Sequence, residues 1–327
     1  MKNILITGIT GQDGIFLSSK ILQEDKNISI YGTSRARNHD NFYKNLESIG
    51  VKSLNNISII NLDLFNEREV SNFINDKTPT AVYNLSGPSS VYNSINKPEK
   101  TISEITSIFG NLTSSLIKSN NFCNFFQASS SEMFESKNNK GINESSHLKC
   151  NSPYAEAKLI NHNKVLDYSI KYNWNIVSGI MFNHESEFRD KSYLTRKIID
   201  GAFNIYKKKR KSLTIGNLEY IRDWSFAGDT VNAMHLLNNQ GAKGPYIIGS
   251  GEGHKIKDML EIVFNYFNLS WQEYIEVDKS LLREGDPLVK ISDPSKIFKE
   301  FGWKTETNFE SLLDRCISKN IFINSNS

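Results

Sequence analysis

The stretch that most restricts what this chain can fold into is its opening run, Asn3-Ile4-Leu5-Ile6-Thr7-Gly8-Ile9-Thr10-Gly11-Gln12-Asp13-Gly14. A branched apolar run reads as a fully buried strand, and glycines at three-residue spacing directly after it read as its turn into a helix. Gly8 permits the tight turn, Gly11 lets backbone approach a pyrophosphate, and Gly14 allows a helix to pack closely on the strand. The helix N-terminus offers N–H groups that no helical carbonyl takes, which suits an anion. Gly8, Thr10, Gly11, Gln12, Asp13 and Gly14 are therefore candidate nucleotide-binding positions.

The same logic continues along the chain. Residues 14–23 read as a helix and 28–34 as a second strand. At the end of such a strand a carboxylate holds the ribose hydroxyls of NAD, whereas an arginine accommodates the extra phosphate of NADP. Arg35 and Arg37 stand there, with no acid before Asp40, so NADP is the expected cofactor and Arg35 its phosphate contact. Residues 57–63 read as a third strand ending in Asp63, placed to accept from the adenine amino group, with Leu64 beside it. A helix over 66–75, a strand over 81–85 ending at Leu85, a helix over 101–119 and a strand over 124–129 follow. Short apolar strands alternating with helices predict an α/β fold with a parallel sheet, doubly wound in the Rossmann manner. The loop Gly87-Pro88-Ser89-Ser90 then falls at the carboxyl edge of the sheet, where ligands bind in such folds. After Met181 the alternation ceases. The expected organisation is a dinucleotide-binding domain over 1–181, rejoined by the chain around 212–250, and a smaller C-terminal substrate lobe formed mainly by 182–327.

Composition adds exclusions. The chain has 327 residues, 38% of them hydrophobic, enough for a large core, and a net charge of +3. Its one basic run, Lys207-Lys208-Lys209-Arg210-Lys211, reads as a solvated helix end, so nucleic acid is not an expected partner. Three cysteines without paired spacing indicate neither a disulfide framework nor a zinc site, so no metal is expected and a reducing compartment is. No run approaches a membrane span, and the first residues read as a core strand, not as a signal peptide. A cytoplasmic protein is expected.

The chemistry-bearing residues lie further on. Ser129-Ser130-Ser131-Glu132 ends the fifth strand, and Ser152-Pro153-Tyr154-Ala155-Glu156-Ala157-Lys158 opens the next helix. Tyr154 and Lys158 are one helical turn apart and share a face. An ammonium beside a phenol favours phenolate, so Tyr154 is expected to have a lowered pKa and to serve as a general base. Lys158 can also hold the nicotinamide ribose.

Together with Tyr83-Asn84-Leu85, Phe182-Asn183-His184-Glu185-Ser186, Thr195-Arg196-Lys197-Ile198, Gly216-Asn217-Leu218 and Arg222-Asp223-Trp224, these segments resemble the GDP-mannose 4,6-dehydratase family of extended short-chain dehydrogenases/reductases. The likeness runs from residue 3 to about residue 303. It implies that Ser130 takes the place of a catalytic threonine and polarises the sugar oxygen at carbon 4, while Tyr154 removes that hydroxyl's proton. Glu132 would move protons at carbons 5 and 6. The resemblance further implies that Ser90, Asn183, Lys197, Arg222 and Arg283 bind a GDP-sugar, that His184 and Arg189 meet the cofactor, and that the protein is a homodimer or homotetramer. The net reaction would be loss of water to a 4-keto-6-deoxy sugar. A carboxylate at Glu132 favours dehydration over simple 4-epimerisation, which needs no base at carbon 5.

The chain also departs from the family. The loop after the fourth strand is Ser86-Gly87-Pro88-Ser89-Ser90, Glu135 replaces a glycine, Glu187-Phe188 replaces Pro-Arg, and Arg283-Glu284-Gly285-Asp286 replaces Arg-Pro-Thr-Glu. These positions surround the sugar and the base, so a different GDP-sugar, such as a GDP-heptose, is an open alternative. A related 4-epimerase, 4-keto reductase or decarboxylase is another. A cofactor-binding sensor without activity would need a broken Tyr/Lys pair, and here both residues are present.

Overall fold

In the computed structural model, which describes residues 2–136, 140–282 and 285–325, seven strands form one parallel sheet. The strands of the chain are β1 (Lys2–Thr7), β2 (Ile28–Thr33), β3 (Ile57–Ile60), β4 (Ala81–Asn84), β5 (Asn124–Ser130), β6 (Ile176–Met181), β7 (Asn183–Glu185), β8 (Leu213–Ile215), β9 (Ile221–Arg222), β10 (Trp224–Phe226), β11 (Gly244–Ile248), β12 (His254–Lys255), β13 (Ile275–Val277) and β14 (Val289–Lys290). The order in the large sheet is β11-β6-β5-β4-β1-β2-β3, and each of its six pairings is parallel. The α/β, doubly wound fold expected from the alternation is therefore the one observed.

The strands are apolar on both faces because both faces are covered. Ile4 and Ile6 of β1 join one core cluster while Leu5 between them joins another, and Tyr83, Phe126 and Val177 separate from Val82, Phe125 and Ile176 in the same way. This is the period of two that a pleated strand imposes on its side chains. On the first face α1 (Gln12–Glu24) packs against α2 (Asp40–Ser48) and α8 (Ala227–Asn239). On the second, α5 (Pro98–Lys118) lies between α3 (Glu67–Lys77) and α6 (Pro153–Lys171). Two of these helices start at a side-chain cap. Asn66 accepts from the N–H groups of Arg68 and Glu69 to cap α3, and Ser152 accepts from the Ala155 N–H to cap α6, with Pro153 in its first turn.

One strand is shorter than its apolar pattern suggests. β3 ends at Ile60, because Asp63 accepts from the Phe65 N–H at 2.9 Å and turns the chain into the cap of α3. Asp63 is thus a loop residue rather than a strand end.

The later chain builds small paired strands, β10 with β7, β12 and β14 on either side of β9, and β13 with β8. They are joined by α7 (Leu194–Tyr206), α9 (Ile256–Tyr266) and α11 (Phe309–Ser325), which pack on one another. Ile198, Leu260 and Leu313 from these helices belong to the same core cluster as Leu17 of α1 and Val231 of α8. The basic run at 207–211 is exposed and follows the end of α7, as a solvated helix end should. Among the described residues no helix is long and apolar enough to cross a membrane.

The glycines of the opening turn have separate jobs. Gly8 has φ +69°, and a Cβ there would sit 3.1 Å from the Ser86 Cα. At Gly14 a Cβ would fall 2.1 Å from the Ile9 carbonyl oxygen, so helix α1 rests directly on the backbone it follows. Gly14→Ala should therefore lower unfolding free energy by about 2–3 kcal/mol in a urea titration without cofactor. Gly110→Ala within α5, where a Cβ meets nothing within 4 Å, should raise it by about 0.5–1 kcal/mol. Equal effects of the two substitutions would contradict this packing.

Candidate active site

Strand order reverses between β1 and β4, which opens a crevice at the carboxyl ends of these neighbours. Buried polar side chains lace the strands together beneath it. Thr7 donates to Asn84 Oδ1 at 2.7 Å, Asn84 donates to Gln127 Oε1 at 2.7 Å, and Gln127 donates to the Ala128 carbonyl at 2.9 Å. The Lys158 ammonium, on α6, donates to that same carbonyl at 2.8 Å. Every side chain in this ladder is nearly fully buried. A satisfied buried network holds its members in one arrangement, and here it fixes Lys158 relative to three strands.

Above the ladder lie the expected catalytic groups. Ser130 ends β5 and its hydroxyl accepts from the Glu132 N–H at 3.2 Å. The Tyr154 phenol lies beside Ser130 and within electrostatic reach of Glu132, Arg189 and Tyr193. The Lys158 ammonium is 5.5 Å from the Tyr154 ring centroid, so the two do share a face. The expected electrostatics need correction. Burial pushes the Tyr154 phenol well above its ordinary value, with the Ser130 hydrogen bond only partly opposing it. Burial also pulls Lys158 down to about 8. Desolvation penalises the charged form of both groups.

A second cluster faces the opening turn. Gln12 donates to the His184 carbonyl at 2.8 Å and accepts from Ser186 Oγ at 2.8 Å, so it ties α1 to β7 and the segment after it. Asp13 and His184 make a 3.2 Å ion pair, and Glu185 and Arg189 approach to 3.3 Å. Burial opposes the charge on Asp13, yet His184 and Arg189 hold its carboxyl below the usual range; burial opposes the charge on His184 as well, and Asp13 raises it nonetheless. Burial raises Glu185, with Arg189 opposing. Asp13 Oδ1 is buried without a hydrogen-bond partner, while Glu185 Oε2 and Arg189 Nε have only their 3.3 Å ion pair with each other. Gly11, the N-cap of α1, supplies no capping side chain, so first-turn N–H groups are left for another acceptor. The free first-turn N–H groups and the glycine turn fit a dinucleotide.

The remaining expected residues are placed less uniformly. Thr10 shares a 3.0 Å hydrogen bond with Ser34. Arg35 is exposed at the end of β2, 3.8 Å from Glu104. Asp63 is exposed, Leu64 is buried, and Leu85 follows β4 beside Gly8. The Ser90 hydroxyl accepts from the Asn93 N–H and caps α4 (Val91–Asn96). Asn183 is exposed at the start of β7, and Lys197 donates to the Thr214 carbonyl at 2.9 Å. Arg222 donates to Asp286 at 2.9 Å and to the Leu288 carbonyl at 3.2 Å. Arg283 lies outside the described residues.

Two residues at the site carry no local sequence signal. The Tyr193 hydroxyl shares a 2.7 Å hydrogen bond with Ser89, and the Arg189 guanidinium stacks 3.6 Å from its ring centroid. The Lys290 ammonium donates to Glu132 Oε1 at 2.8 Å. The departures also find partners. Glu135 pairs with Lys149 at 3.1 Å. Glu187 is buried and takes a forked contact from Arg315 at 2.8–3.1 Å, and Phe188 packs on Phe16.

With this geometry in place, the sequence profile of GDP-mannose 4,6 dehydratase matches residues 5–316. The chain belongs to the GDP-mannose 4,6-dehydratase family. It is 32% identical to GDP-mannose 4,6 dehydratase 2 of Arabidopsis thaliana over 98% of this chain and 87% of that protein. Solved structures of similar fold include dTDP-glucose 4,6-dehydratase DesIV from Streptomyces venezuelae, with a TM-score of 0.84, 19% identity and 99% and 98% of the two chains covered. Another is RMD from Pseudomonas aeruginosa complexed with NADPH, with a TM-score of 0.80, 18% identity and 98% and 99% covered.

The pull on Lys158 has a sign that can be measured. Protonated Lys158 costs the fold stability in full below about pH 8, and the cost fades as pH rises toward the unfolded value of 10.5. Relative to Lys158→Met, the cofactor-free protein should therefore gain stability between pH 8 and 9.5 in paired denaturant titrations. Parallel curves would contradict the burial of a charge there.

Proposed function

We propose that this protein is an NADP-dependent GDP-sugar 4,6-dehydratase, a hydro-lyase, acting on GDP-mannose. The observation that carries the reading is the convergence of Ser130, Glu132 and Tyr154 at the carboxyl edge of the sheet, within reach of a crevice suited to a dinucleotide. Membership of the family supports the substrate class. Arg35, with no carboxylate at the end of β2, supports NADP over NAD.

A nicotinamide bound in the crevice supplies the removal of hydride from carbon 4 of the sugar and its delivery to carbon 6. The protein does the rest. Gly8, Thr10, Gly11, Gln12, Asp13 and Gly14 line the dinucleotide's turn, Asp63, Leu64 and Leu85 its adenosine side, and Lys158, His184 and Arg189 its nicotinamide side. Ser130 donates to the oxygen on carbon 4, and Tyr154 accepts that hydroxyl's proton. The resulting ketone acidifies the carbon 5 proton, because the electron pair left behind is held as an enolate. Glu132 takes that proton. The enolate pair then closes the bond between carbons 5 and 6 as the carbon 6 to oxygen bond breaks, and the oxygen leaves as water with the proton from Glu132; once hydride is delivered to carbon 6, a proton is added at carbon 5, which balances the one Tyr154 took. Ser90, Asn183, Lys197, Arg222 and Arg283 hold the nucleotide diphosphate by charge and hydrogen bonding. The working form is a homodimer or homotetramer in the cytoplasm.

Incubation with a panel of sugar nucleotides, followed by mass spectrometry, tests the reading. GDP-mannose should lose one water with no net consumption of added NADPH. Stoichiometric NADPH consumption would mark a reductase, loss of carbon dioxide a decarboxylase, and an isomer of unchanged mass an epimerase; each would overturn the proposal. Tyr154→Phe should lower turnover by about 10²- to 10⁴-fold while cofactor still binds. Unchanged turnover would remove Tyr154 from the chemistry.

A further inference from the structure

Lys290 is an unusual residue to find beside a carboxylate that must move protons. It is 4% exposed and stands on β14, opposite Arg222 in the parallel register with β9. Its ammonium reaches across to Glu132 Oε1 at 2.8 Å, joining residues 158 positions apart. A buried ammonium is retained only where an acceptor offsets its lost hydration, and the acceptor here is a carboxylate at the end of β5.

The backbone around this pair is held from several directions. The Asp223 N–H donates to the Lys290 carbonyl at 3.1 Å. The Asp223 carboxylate in turn accepts from the backbone N–H groups of Ser250, Gly251 and Ser292 and from the hydroxyls of Ser250 and Ser292. On the Glu132 side, Ile142 exchanges 2.8 Å hydrogen bonds with Ile291 and Asp293, so the chain following Glu132 is pinned to the chain following Lys290. Ammonium and carboxylate are therefore held on a shared frame, which limits how far either can swing.

We propose that Lys290 is a positioning residue for the elimination, holding Glu132 ionised and aimed until it takes the carbon 5 proton, and then easing that proton onto the departing carbon 6 oxygen. The inference rests on the dehydratase reading and deepens it. An adjacent cation favours a carboxylate over a carboxylic acid, so Glu132 enters the cycle charged. Once Glu132 holds the proton, the same cation favours giving it up, which is what departure of hydroxide as water requires. The proton leaves carbon 5, rests on Glu132 and departs on oxygen; the electron pair of the broken C–H bond becomes the second bond between carbons 5 and 6, and the pair of the broken C–O bond leaves with oxygen. Lys290 gains and loses nothing. Oxidation at carbon 4 does not depend on it.

That separation gives the test. With GDP-mannose and the NADP-loaded protein, Lys290→Met should lower kcat about 100-fold with KM within about threefold. Reduced-nicotinamide absorbance should build up to about one equivalent per subunit, because oxidation proceeds while elimination stalls. Lys290→Arg, which keeps the cation, should return kcat to within about tenfold of the parent. Combining Lys290→Met with Glu132→Gln should cost no more than Glu132→Gln alone, since the two residues act on one step. Wild-type turnover in Lys290→Met would overturn the proposal. So would a loss in which no reduced nicotinamide accumulates, or a Lys290→Arg variant as slow as Lys290→Met. If Lys290→Met does not fold, Lys290→Gln and Lys290→Arg carry the same comparison. Parent protein run alongside separates the two claims: failure of the parent to release water from any GDP-sugar sinks the dehydratase reading, whereas a dehydrating parent with an indifferent Lys290 sinks this inference alone.

Discussion

The site depends on how the segment from Asn183 to Arg189 is held against the first turn of α1. Gln12 grips it twice, through the His184 carbonyl and the Ser186 hydroxyl, and Asp13 pairs with the His184 ring. These contacts bring the Arg189 guanidinium to 3.6 Å from the Tyr193 ring centroid and within electrostatic reach of Tyr154. Without the grip, a glycine turn on the sheet and a charged segment from the later chain would be separate features. With it, a turn suited to dinucleotides and a tyrosine suited to proton transfer share one crevice.

Burial sets the electrostatics of that crevice. Asp13, His184, Glu185 and Arg189 tolerate burial because each charge faces an opposite one. Lys158 has only a carbonyl, and its charged form is correspondingly penalised. Tyr154 keeps its proton more firmly than a free phenol does. The phenolate is therefore scarce in the protein alone. In the proposed reaction, proton transfer from the sugar would depend on what binds in the crevice.

Much of this was legible in the sequence, for reasons that differ from residue to residue. The glycine turn could be read because its constraints are local: Gly14 must be small since Ile9 backbone lies against it, whatever the rest of the chain does. The sheet could be read because strands buried on both faces are continuous apolar runs. Tyr154 and Lys158 could be placed on one face by helical spacing, but spacing could not say that the Ala128 carbonyl would capture the ammonium. Lys290 and Tyr193 were invisible, since each is a single residue in an aperiodic segment whose partner lies far off in sequence. The end of β3 was overrun because Asn61, Leu62 and Asp63 continue an alternating pattern that a single side-chain hydrogen bond interrupts.

The departures from the family pattern read differently once their partners are known. Glu187 and Phe188 turn inward to Arg315 and Phe16, so they bind the last helix to the first. Asp286 meets Arg222, which ties one candidate diphosphate ligand to the altered stretch near 283–286. The central claim, that hydride is taken from carbon 4 of the sugar and returned to carbon 6 within one turnover, can be examined with GDP-mannose carrying deuterium on carbon 4. Mass spectrometry and NMR of the product should find that deuterium on carbon 6, with none transferred to solvent. Deuterium that remains on carbon 4, is lost to water or leaves on released cofactor would contradict the account.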